Sequence, residues 1–154
     1  MTDEFALQRY YGPAATVVQG CELARYLAVL LRLAKSRGIS VPERNAAASI
    51  AFVLADEATR QEAFRFDEEL PPTWAQLLAP LQQPPVSLCL YRDACVVAWA
   101  DGQLDPDEQE ILEQIARGLH LGPGESSRIQ ALVRQQEEAR LQFLALAAPR
   151  ADEL

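Results

Sequence analysis

Residues 90–121 read LYRDACVVAWADGQLDPDEQEILEQIARGLHL, and this stretch decides the fold class. Leu90, Tyr91, Ala94, Cys95 and Ala98 recur at three- and four-residue spacing, which puts them on one stripe of a helix running from about Val86 to Ala100. Ile111, Leu112, Ile115, Ala116 and Leu119 make the same stripe on a helix from about Pro106 to Leu119. Between the two, Gly102 breaks the chain and Asp105 offers an N-cap. Pro106 takes the first helical position, where its missing N–H costs nothing, and Glu108 stands where a capping box needs it.

Working outward, apolar residues keep helical spacing nearly everywhere and β-branched alternation is absent, so an all-α, single-domain helical bundle of about seven to eight helices is expected. A first helix spans about Asp3 to Tyr11 and stops at Gly12 and Pro13. A second, from Ala14 to Ser36, carries Leu23, Leu27, Leu30, Leu31 and Ala34 and ends at Gly38. The third starts at Ser40, with Pro42 in its first turn and Glu43 reaching back, and ends near Ala55. Thr59 with Glu62 suggests the cap of a fourth through Phe64, while Pro71, Pro72 and Thr73 open a fifth carrying Trp74. The last follows Gly122, Pro123 and Gly124 and carries Ile129, Leu132 and Val133; a bend at the polar stretch Arg134 to Arg140 is left open.

The two halves, approximately residues 14–66 and 86–135, resemble each other. A slide of 64 sets Leu33, Ala34 and Gly38 on Val97, Ala98 and Gly102. A slide of 65 then sets Ser40, Glu43, Ile50, Ala51 and Leu54 on Asp105, Glu108, Ile115, Ala116 and Leu119. Breaker, N-cap, capping glutamate and core positions are kept together, the signature of a duplicated helix pair.

Composition narrows the function. At 154 residues the chain is long enough to bury roughly 70% of its unfolded surface. A net charge of -8 argues against nucleic acid and against anionic lipid, both of which need a positive footprint. The longest early apolar run, Tyr26 to Leu31, is too short to insert in a membrane. Cys21, Cys89 and Cys95 form no CxxC and follow no leader-like segment, so a cytoplasmic location is expected, with Cys89 and Cys95 as buried hydrophobes. A single histidine, His120, excludes multi-histidine metal hydrolases and suits a helix C-terminus.

Six acids and no base fall between Asp101 and Ala116. Capping and the helix dipole account for Asp105, Asp107 and Glu108. Asp101 stands apart, because it follows a helix C-terminus where a cation is preferred, and its counterpart in the first half is Arg37. Two readings are open: a solvated turn in which Asp101 bonds a local N–H, or an all-oxygen cation site. The second would be built from Asp101, Asp105 and Glu108 and suits calcium, magnesium or manganese.

At these residues the chain resembles the TerB-like family, all-α proteins named for bacterial tellurite resistance. LYRDACVVAWADGQLDPDE followed by EILEQIARGLHL is similar to that family's helix ending in ADG, acidic turn, capping glutamate and amphipathic helix. The resemblance implies a cytoplasmic domain without catalytic activity. It also implies a divalent-metal site at Asp101, Asp105 and Glu108, and a role in tellurite or general stress resistance with a protein partner, among them the membrane protein TerC. Metal-free adaptor modules attached to co-chaperones are the alternative within the same resemblance, and a hydrolase using the acids is a third reading. Arg37, Ser40 and Arg44 stand where first-half acids would make a paired site, and with Arg25, Arg32 and Lys35 they suggest a bipolar charge distribution. Asp93 is read as either an outer acid of the site or a partner of Arg92.

Overall fold

The computed structural model describes residues 3–36, 40–69 and 73–150, and among these it contains helices, turns and no strand. Arg37, Gly38, Pro71 and Pro72 lie outside the described residues. The elements are α1 (Glu4–Tyr11), α2 (Ala15–Gln19), α3 (Leu23–Lys35), α4 (Val41–Leu54), α5 (Glu57–Glu69), α6 (Trp74–Leu78), α7 (Val86–Ala98), α8 (Pro106–Gly118) and α9 (Pro123–Ala147), with 3-10 turns at Gly12–Ala14 and Ala79–Leu81. Among the described residues no helix is long and apolar enough to cross a membrane.

Local chemistry explains most boundaries. Asp3 accepts the Ala6 N–H at 3.1 Å and Ser40 Oγ the Glu43 N–H at 3.2 Å. Thr73 and Gln76 close a reciprocal capping box at 3.2 and 3.1 Å. Three boundaries differ from expectation, one of them the end of α5, which runs past Phe64 to Glu69. The helix read as continuous from Ala14 is broken at Gly20, whose N–H turns back to the Thr16 carbonyl. Glycine is among the weakest helix formers, and the break lets Val18 reach the core while α3 sets off in a new direction. Asp56, not Thr59, caps α5, accepting the Thr59 N–H at 2.9 Å; a carboxylate three residues earlier is the better-placed acceptor. The polar stretch of α9 does not interrupt it: Arg134–Glu138 and Arg140–Glu137 pair along one continuous 25-residue helix.

The core runs between α3 and α7, the two helices that the duplication aligns. Tyr26 to Leu30, Leu33 and Ala34 are buried on α3, and Leu90, Tyr91, Asp93 to Cys95, Val97 and Ala98 on α7. The two pack together, with α5 and α6 against α3, α9 and α8 against α7, and α4 touching both. Buried Cys95 and half-buried Cys21 are free thiols that burial pushes up to about 12 and about 11, so they remain protonated.

One polar group sits inside this apolar contact. Asp93, 3% exposed, accepts the hydroxyls of Tyr26 at 2.6 Å and Tyr11 at 2.8 Å on Oδ2, and Arg92 reaches its Oδ1 at 3.2 and 3.3 Å. Arg92 also donates to the Tyr10 carbonyl at 2.6 Å and lies over the Tyr11 ring. Burial raises the Asp93 carboxyl above its ordinary range, while Arg92 and the two phenols pull it back. Asp93 is thus a structural partner of Arg92 that ties α1, α3 and α7.

The basic residues are also largely occupied. Arg25 pairs with Glu22, and Arg32 and Lys35 share Asp67. These pairs neutralise much of the basic side of the expected bipolar distribution.

Removing the buried carboxylate in Asp93→Ala should cost about 3–5 kcal/mol in urea unfolding, with Tyr26→Phe costing less, because one acceptor loses one donor. His120 holds a left-handed φ of 58° just past α8, where the Leu121 N–H returns to the Ala116 carbonyl. His120→Gly should therefore stabilise the fold by about 1 kcal/mol, seen as a rise in melting temperature.

Candidate metal centre

The acidic turn is built by the end of α7. The Trp99 N–H closes onto the Cys95 carbonyl, the Ala100 N–H onto Val97 and the Gly102 N–H onto Trp99. Gly102 has a φ of 87°, which favours glycine, and a Cβ there would meet Leu141 Cδ1 of α9 at 3.0 Å and displace that side chain by a few tenths of an ångström. Arg140 of α9 donates to the Ala100 carbonyl at 3.3 Å. The helix end already has its cation, and the dipole alone does not require another beside Asp101. Asp101 is exposed, and its Oδ1 accepts the Gln103 N–H at 3.0 Å, the local turn bond that the sequence left open.

Asp105 caps α8 as expected, its Oδ1 accepting the N–H groups of Asp107 at 3.0 Å and Glu108 at 2.9 Å. Glu108 does more than stand in the first turn. It is 6% exposed, and its Oε2 is buried without a hydrogen-bond partner. An acceptor removed from water and left without a donor is costly, and a native structure keeps few of them.

The third member comes from the other half of the chain. Glu43, 7% exposed in the first turn of α4, Asp101 and Glu108 each offer a carboxylate oxygen, and these oxygens lie within 4.8 Å of one another. The structure brings together Asp101 and Glu108, as the sequence suggests; Asp105 is not in this trio, and Glu43 is. Sequence reasoning took Glu43 as a helix-capping residue and took Arg37, Ser40 and Arg44 as evidence against a paired site. The signal was present in the slide of 65, which sets Glu43 on Glu108. Ser40 acts as the cap and Arg44 is exposed, so neither fills the position that Glu43 occupies.

Crowded acids alter each other. The Glu108 carboxyl is pushed up to about 8, first by burial, then by the neighbouring Asp105 carboxyl and by the charges of Glu43 and Asp101. Chemically the trio is an all-oxygen donor set. Divalent ions take oxygen ligands at about 2.0–2.6 Å, so oxygens within 4.8 Å of one another are close enough to share one ion. An ion there would give Glu108 Oε2 the partner that it lacks.

A family model described as "Tellurite resistance protein TerB" matches residues 25–131, which include most of α3, α4 to α8, the first part of α9 and all three acids of the trio. No curated protein and no solved structure matches the chain.

Because Glu108 keeps its proton longer when folded, the native state binds more protons than the unfolded chain between pH 4.5 and about 8. Stability should fall as pH rises through that window. Glu108→Gln should flatten this slope and melt higher than the parent at pH 8, measured by thermal unfolding in chelator.

Proposed function

The chain belongs to the TerB family of tellurite resistance proteins, and from that premise we propose that it works by binding and not by catalysis, holding one divalent cation between Glu43, Asp101 and Glu108. The observation that carries this reading is the buried Glu108 Oε2, unpartnered and beside two further carboxylates. Calcium, magnesium and manganese are the candidates, because the donors are all oxygens. In this reading Asp105 keeps α8 capped and orients Glu108. The cation offsets the repulsion among the acids and fastens the start of α4 to the turn between α7 and α8. The cellular role that we attach to this reading is tellurite or general stress resistance in the cytoplasm of a bacterium, with a protein partner such as TerC.

The metal-free adaptor reading is favoured by a different observation. Phe143, Leu144 and Leu146 are exposed near the end of α9, beyond its buried residues Val133 and Glu137. A partner that binds equally in chelator and is lost on combining Phe143→Ser with Leu146→Ser would favour that reading.

Thermal unfolding with calcium, magnesium or manganese against chelator tests the cation. At a hundred times its Kd an ion adds about 2.7 kcal/mol of stability, and Asp101→Asn or Glu43→Gln should abolish most of that gain. An unchanged midpoint with all three ions would end the proposal. Asp105→Asn keeps a good N-cap and should retain the response; its loss there would return the site to Asp101, Asp105 and Glu108.

A further inference from the structure

Away from the acids, α6 and α8 leave an open groove of about 400 Å³ lined by Trp74, Gln82, Gln114, Arg117 and His120 among others, a volume within the range of small-molecule sites. Its polar groups are arranged with some definition. Gln82 Nε2 lies 3.0 Å from the Gly118 carbonyl and 3.3 Å from His120 Nε2. A carbonyl only accepts, so this atom is the amide nitrogen, and its two N–H groups serve Gly118 and His120. In the neutral imidazole Nε2 is then the acceptor and the ring proton sits on Nδ1, for which no protein partner is found among the described residues.

His120 occupies this place at a cost, since its left-handed φ suits glycine and the residue is exposed, with no core packing to offset the strain. Gln82 is the contact that holds the ring. Arg117, one turn earlier in sequence, is exposed and forms no ion pair with a described carboxylate, although acids outnumber bases 22 to 14 in this chain. Half-buried Trp74, whose ring carries the Arg32 guanidinium at 5.9 Å on one face, contributes apolar surface to the lining, and Gln114 a further amide. An aromatic face beside a guanidinium and an imidazole N–H complements a small molecule that is flat at one end and anionic at the other.

We propose that this groove binds a small aromatic carboxylate, its ring against Trp74 and its carboxylate on Arg117 and His120 Nδ1–H. No member of the acid trio takes part, so the proposal stands or falls independently of the cation.

The chain has two tryptophans, so Trp99→Phe leaves Trp74 as the sole indole emitter. Titration of that variant with 3-phenylpropanoate should change Trp74 fluorescence saturably, with a Kd of about 1 mM or below. The neutral 3-phenylpropanamide should bind about tenfold more weakly, as should the acid to an added Arg117→Gln, since each loses the charge-assisted contact. His120→Gly should weaken binding while raising the melting temperature, a combination that a purely structural histidine would not produce. The Trp74 indole N–H resonance of the parent protein, followed in the same titrations, gives the answer if Trp99→Phe does not fold. A response that never saturates, is equal for acid and amide, or is unchanged by Arg117→Gln overturns the proposal.

Discussion

A carboxylate enclosed between helices is the constraint on which the arrangement rests. The apolar stripes of α3 and α7 would tolerate small slides and rotations, because dispersion and burial have little direction. Asp93 does not tolerate them. With 3% of its surface exposed it needs both phenols and the Arg92 guanidinium at hydrogen-bonding distance, and those groups come from α1, α3 and α7 itself. An unsatisfied charge there would cost several times what a shifted leucine costs. The register of α3 against α7 is therefore set by polar geometry inside an apolar contact.

That register reaches the acids through the chain. Each central helix is followed by a turn and a second helix, α4 after α3 and α8 after α7, and both glutamates lie three residues beyond an N-cap. Once α3 and α7 are locked, Glu43 and Glu108 approach each other with Asp101 beside them. Burial of Glu108 and the charges of its neighbours are a stability cost held at one place, and the raised Glu108 carboxyl is their signature. Arg140, Gly102 and Leu141 brace the same turn from α9, so the long last helix supports the site from behind.

Much of this was legible before any coordinates. The stripes on α7 and α8 are buried where periodicity puts them, apart from a half-buried Ile111, and Ser40, Thr73 and Asp105 act as caps. The failures share a physical cause. Gly20 ends a helix because the following segment gains more by turning Tyr26 and Leu27 into the core than by extending α2. Asp56 caps α5 in place of Thr59 because the helix begins at Glu57, which makes Thr59 a donor in its first turn. Glu43 was assigned to capping, a local role that every glutamate at that position can fill, and its burial depends on which helix arrives opposite.

Sequence alone determined what short-range chemistry can settle: helical periodicity, most caps and breakers, the TerB resemblance, and the concentration of acids around Asp101. Those follow from contacts between residues a few positions apart. The tertiary structure decided which carboxylates meet, that Asp93 is a structural clamp, and that Arg140 answers the end of α7. Each of these joins residues 40 or more positions apart, and the energies that select them, desolvation and charge repulsion, arise only once burial has removed the water between them.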